Sequence, residues 1–111
     1  MKGTVTIGSK EVGMVANAAS PYIYKQVFHE DFLVKLQQKT PDVDTFQKMG
    51  FVMAKQDETS NMADLVKLTE EDFWNWLLEF EAMDVIYATD AIANIYLAQT
   101  KSTSVPKKEG E

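Results

Sequence analysis

The spacing of apolar positions changes sharply as the chain is followed from its start. Thr4-Val5-Thr6-Ile7 alternates and is β-branched, Gly8-Ser9-Lys10 punctuates, and Glu11-Val12-Gly13-Met14-Val15 follows. This pattern predicts a short hairpin that reverses near Gly8 or Ser9. A lone hairpin is marginal in water, so it is expected to lie on other elements or to extend a sheet. Edge-to-edge pairing between copies would give a homo-oligomer.

From Ser20 onward the apolar spacing is three and four. Ser20-Pro21 reads as an N-cap and a first helical position. Ile23, Tyr24, Val27 and Phe28 form the apolar stripe of this first helix, which is expected to break near His29. A second helix from about Glu30 carries Phe32, Leu33 and Leu36 and ends before Pro41. A third, capped by Asp42 or Asp44, repeats Phe46, Met49, Val52 and Met53. Gly50 inside it costs about 1 kcal/mol relative to Ala, which points to a close helix contact there. Gln56 to Asn61 reads as a polar loop and Met62 to Leu68 as a short helix. Thr69 and Asp72 have the spacing of a capping box, although Glu or Gln is usual at the latter position. An aromatic helix to about Glu81 and a last helix from Asp84 to Gln99 complete the folded part. Lys101 to Glu111 has no periodicity and is expected to be a disordered polar tail. The expectation is thus a mainly α (α+β) fold, an N-terminal β-hairpin followed by about five helices, forming one domain over residues 1–100.

The stretch from Thr69 to Asp84 is the most unusual. Its 16 residues hold six acids, no base and both tryptophans. On a helix, Phe73, Trp76, Leu77 and Phe80 share a face. Trp74 and Leu78 lie beside it and widen the apolar arc to roughly 200°. One packed neighbour rarely covers such an arc, so the helix is either central in a bundle or partly reserved for another molecule. The last helix is apolar on nearly every side and invites the same question. Trp74, Leu78, Trp76, Phe80, Met83, Ile86 and Leu97 are therefore the expected partner-binding residues. Core readings of Trp74, Trp76 and Phe80 stay open beside the interface reading. Met49 and Met53 read as core; Met62 and Met83 suit either role, because flexible thioethers fit varied surfaces.

Composition narrows the function. The chain has 111 residues, a net charge of −6 and neither arginine nor cysteine. Its charge argues against non-specific binding to nucleic acid, which needs Lys and Arg to neutralise phosphates. Without cysteine there are no disulfides, thiol nucleophiles or thiolate metal sites, which fits a reducing cytoplasm. The opening residues lack the apolar core of a secretory signal, and no apolar run is long enough to span a membrane. His29 is the single histidine and reads as an exposed residue at a helix junction. Asp42-Val43-Asp44 begins like a calcium loop, but Phe46 and Gln47 stand where a ligand and glycine are required. The acids of the aromatic helix are better read as dipole-favouring and solvating charges than as a catalytic pair. No phosphate loop or nucleophile motif occurs. A non-enzymatic protein without cofactor or metal is expected.

Several short motifs, taken in order, carry a resemblance. They are the GSKEV turn, Ala19-Ser20-Pro21-Tyr22-Ile23-Tyr24-Lys25-Gln26-Val27-Phe28, Asp31-Phe32-Leu33, Gly50-Phe51-Val52-Met53-Ala54-Lys55-Gln56, and Phe73-Trp74-Asn75-Trp76-Leu77 with Phe80 and Glu81. Their order over about residues 4 to 97 resembles the tail assembly chaperones of long-tailed phages and prophages of Gram-positive bacteria. His29 departs from that pattern, where glycine is expected after the Phe. The resemblance implies a protein of the host cytoplasm, absent from the finished virion. It would coat the hydrophobic tape measure protein, keep it soluble and recruit tail tube protein. It also implies that a longer frameshifted form is often made. The alternative carried by the same acidic aromatic helix is a small regulatory or adaptor domain that binds a host protein.

Overall fold

The computed structural model describes residues 2–38 and 43–104, with side chains placed for 44–98 in the second stretch. Strands β1 (Lys2–Ile7) and β2 (Lys10–Val15) form an antiparallel hairpin. Among the described residues there follow helices α1 (Ser20–Phe28), α2 (Phe32–Leu36), α3 (Val43–Glu58), α4 (Met62–Leu65), α5 (Glu70–Leu77), α6 (Asp84–Tyr87) and α7 (Thr89–Ser104). The hairpin-plus-helices α+β fold is the expected class, with the helical part divided into more pieces.

The hairpin register pairs Ile7 with Lys10, leaving Gly8-Ser9 as a two-residue loop. Gly8 has φ +64° and Ser9 is not among the positive-φ residues, the sign pattern of a type II′ turn. Such a turn matches the strand twist and fixes which side chains face inward. Val5, Ile7 and Met14 are all buried, so one face of the hairpin is part of the core. Helix α3 lies at the centre and packs against β2, α1, α7 and α5.

Two buried arrangements set how the helices sit on α3. Gly50 faces α7, where a Cβ would stand 2.9 Å from Ile92 Cδ1. The close contact expected from this glycine is therefore present, and it is made with the last helix. An aromatic chain links the remaining elements. Tyr24 meets Phe28 and Phe32 at 5.1 Å, Phe32 meets Tyr96 at 5.0 Å, and Phe28 meets Phe73 at 5.2 Å. Tilted and edge-on pairs of this kind add about 0.5–1.5 kcal/mol each beyond area burial. Burial pushes the Tyr96 phenol above its usual pKa.

The structure corrects several boundaries. Ser20 does not cap α1; Ala19 occupies that place without a side-chain bond. The Ser20 hydroxyl instead donates to Gln56 Oε1 at 2.6 Å and accepts from the Asn17 amide, while Gln56 Nε2 donates to Asn17 Oδ1 at 3.0 Å. Gln56, Asp57 and Glu58 thus belong to α3 and not to a loop, because a buried polar network through Gln56 holds the last turn of the helix in place. The short helix α4 stops at Leu65, well before Leu68. The aromatic helix ends at Leu77, where Glu79 and Phe80 amides bond back three residues and tighten the chain into a turn. The last helix is broken at Ala88. Thr89 Oγ1 donates to the Val85 carbonyl at 3.2 Å, a back-bond of the type that bends helices. Helix α7 then runs through Ser104, past the expected end at Gln99 and into the segment expected as a disordered tail. Residues 105–111 of that tail, and the Asp42 cap, lie outside the described residues.

The α1–α2 junction has a physical basis that the sequence pattern did not supply. His29 adopts φ 58°, ψ 35°, and its amide donates to the Lys25 carbonyl at 2.8 Å. It is a left-handed C-cap, the conformation for which glycine is the usual residue. Asp31 then caps α2 by accepting from the Leu33 and Val34 amides. Glu30 between them accepts from Tyr24 Oη at 2.9 Å and pairs with Lys35 and Lys48.

Candidate functional site

Helix α5 begins with a complete capping box. The Thr69 hydroxyl accepts from the Asp72 amide at 3.3 Å, and the Thr69 amide donates to Asp72 Oδ2 at 2.9 Å. Glu70, Glu71 and Asp72 occupy the first turn, where negative charge is favoured by the helix dipole. With the start fixed, side-chain direction follows from the period. Phe73 and Trp76 turn inward, and Trp74 and Leu78 turn outward.

The indoles separate cleanly. Trp76 is 5% exposed and packs against Phe51 at 5.8 Å and Phe80 at 5.0 Å. It is a core residue, and its expected place among the partner-binding side chains is corrected: it cannot meet another molecule without breaking this packing. Phe80 is half-buried, held between Trp76 and the Lys10 ammonium, which lies 5.3 Å from its ring centre. Trp74 is 63% exposed and Leu78 is 82% exposed. Met83, Ile86 and Leu97 are exposed as well, as is Tyr87, which the sequence reading did not select. Five of the seven expected residues therefore present apolar surface, contributed by α5, the turn before α6, α6 itself and α7.

Other exposed hydrophobics lie on α1, α2 and α4: Tyr22, Leu33, Val34, Met62 and Val66. Of these, only Met62 was marked in the sequence as open to a surface role. Tyr22 follows Pro21 on the outer side of α1, roughly opposite the buried stripe of Ile23, Tyr24, Val27 and Phe28, so the helical period itself is the signal that separates it from the core. A concavity of about 250 Å³ beneath the hairpin is lined by Lys10, Glu11, Asp57, Glu58, Trp76 and Glu79, among others. Three of its acids are ion-paired: Lys10 pairs with Glu79 at 3.7 Å and Lys55 with Glu58 at 3.5 Å, while Glu11 accepts from the Thr6 hydroxyl at 3.4 Å. Lys2 reaches Asp57 Oδ1 at 3.3 Å, an ion-pair contact without hydrogen-bond geometry.

His29 is exposed, and among the described residues no group of three or more His, Cys, Asp or Glu side chains is arranged to hold a metal ion. Among the described residues no helix is long and apolar enough to cross a membrane. What this surface offers chemically is apolar contact area bordered by carboxylates. No protein family, curated protein or solved structure matches the chain.

Proposed function

We propose that this protein is a non-enzymatic assembly chaperone that holds apolar helices of a long client, the tape measure protein of a phage tail. The reading unites the motif order of the sequence with one structural observation. Trp74, Leu78, Met83, Ile86 and Leu97 are exposed although the chain has a filled core of its own. Five large apolar side chains left exposed between residues 74 and 97 support the reading of this part of the chain as an interaction surface. Each side chain buried against an amphipathic client helix would contribute about 1.5–3 kcal/mol. Glu70, Glu71 and Glu81 beside them keep the unloaded surface hydrated and the loaded complex soluble, and recruitment of tail tube protein would follow on the coated client.

Co-expression tests this directly. With the cognate tape measure protein, the client should stay in the soluble fraction and co-purify with the chaperone. Trp74→Ala should weaken the complex about 30-fold or more, as for an aromatic hot spot, while leaving thermal unfolding nearly unchanged. Trp76→Ala should instead cost about 3–5 kcal/mol of fold stability. An insoluble client with no retained complex would sink the proposal, and stable capture of one defined host protein would turn it toward an adaptor.

A further inference from the structure

We infer, resting on the client reading above, that the surface over residues 68–100 selects its client by charge: the helix it holds has an apolar stripe bordered by lysine or arginine. Residues 1–67 carry eight acids and eight lysines, and residues 101–111 carry two acids and three lysines. Residues 68–100 carry seven acids and no base, so this one stretch holds the whole excess of negative charge. The same stretch exposes Trp74, Leu78, Met83, Ile86, Tyr87 and Leu97.

Helix stabilisation does not account for the pattern. The dipole favours acids in a first turn and equally favours bases in a last turn. Helices α1, α2 and α3 have Lys25, Lys35 and Lys55 in their last turns, whereas α5 and α6 have acids in the first turn and no base in the last. Nor does the rest of the fold neutralise the stretch. Lys10 reaches Glu79 at 3.7 Å, Asp72 is engaged in the capping box, and Asp84 accepts from the Glu81 amide at 3.0 Å. Among the described residues, Glu70, Glu71, Glu81 and Asp90 are exposed and have no cation partner.

On α5 the two kinds of side chain are interleaved. Glu70, Trp74 and Leu78 follow one another at four-residue steps, and Glu71 stands three residues before Trp74. Both carboxylates and both apolar groups therefore share one side of the helix. A row at this spacing accepts the side-chain ridge of a second helix laid along it. Trp74 and Leu78 then take the apolar stripe, and a lysine or arginine one turn along meets Glu70 or Glu71. The stem of that cation lies over the exposed indole while its head reaches the carboxylate. An acidic helix of equal hydrophobicity is turned away by the same carboxylates, which lets the surface choose among apolar segments.

Calorimetric titration of the full chain with three designed amphipathic helices tests this. The helices share one leucine stripe and differ only in its flanks, which are lysine, glutamine or glutamate. The lysine-flanked helix should bind about tenfold tighter than the glutamine-flanked one, the effect of two exposed ion pairs, and the glutamate-flanked helix about tenfold weaker. The spread should collapse at high ionic strength, where exposed charges are screened. Glu70→Gln combined with Glu71→Gln should remove most of the lysine preference and leave affinity for the glutamine-flanked helix unchanged. Glu71→Gln alone should lower the preference about threefold, and it serves if circular dichroism shows the double variant unfolded. Trp74→Ala should weaken the lysine-flanked and glutamine-flanked helices by the same factor. Equal affinity for the three helices, or a lysine preference that survives both high salt and loss of the two glutamates, would overturn the inference. So would the absence of any binding; if the chain then sediments as an assembly, the outer face of α5 belongs to a second copy. The two failures are distinct. A tape measure protein kept soluble by a chain indifferent to peptide charge sinks the selection alone, and charge-selective peptides beside an insoluble tape measure protein sink that client alone.

Discussion

His29 has a non-glycine side chain in a left-handed backbone position, which strains it against the following carbonyl. The cap is retained because the amide still satisfies a helix carbonyl, and because Asp31 and Glu30 pin the chain immediately beyond. His29→Gly should therefore raise unfolding stability by about 0.5–1 kcal/mol, measured as a shift in urea midpoint at constant slope. The value is the release of strain less the extra freedom that glycine gives the unfolded chain. Loss of stability would mean that the imidazole makes contacts worth more than the strain. The break near this residue was legible from the sequence, but its left-handed geometry was not. A histidine carries no signal for φ comparable to that of glycine. Gln56 misled for a related reason: in a run of polar residues, only the distant Ser20 and Asn17 distinguish a buried amide from a solvated one.

At the scale of elements, the pattern located β1, β2, α1 and the α5 start well, because alternation, Pro21 and the Thr69–Asp72 spacing are local signals. The ends of α4, α5 and the α6–α7 break were less legible. No glycine or proline marks them; the α5 end is set by Phe80 folding back onto Trp76, and the α6–α7 break by the Thr89 hydroxyl reaching the Val85 carbonyl. The Gly50 contact shows the other case, where a destabilising residue inside a periodic helix signals a crossing. Gly50→Ala improves intrinsic helix propensity by about 1 kcal/mol but places a methyl against Ile92. Overpacking costs about 1–3 kcal/mol, so the net effect should be destabilising by up to about 2 kcal/mol. Ile92→Val in the same chain should recover part of that loss in a thermal or urea melt. Additive losses from the two substitutions would show that the helices do not meet there.

For the whole molecule, the hairpin is not an appendage. Val5, Ile7 and Met14 are as deeply buried as Phe51 and Ile92, so strands and helices share one core. The candidate surface was only partly visible beforehand. A wide apolar arc on the aromatic helix told that more side chains were present than one neighbour could cover, but not which would lose. Topology decided that question by placing α3 against Phe73 and Trp76 and leaving Trp74 outside. The consequence is optical. Two indoles on one helix, one dry and one wet, should give an emission spectrum with separable parts. Acrylamide should quench the red-shifted share and spare the blue one, and Trp74→Phe should remove the quenchable share. Any molecule that covers the outer face of α5 should shift the remaining emission to the blue without a dye or label.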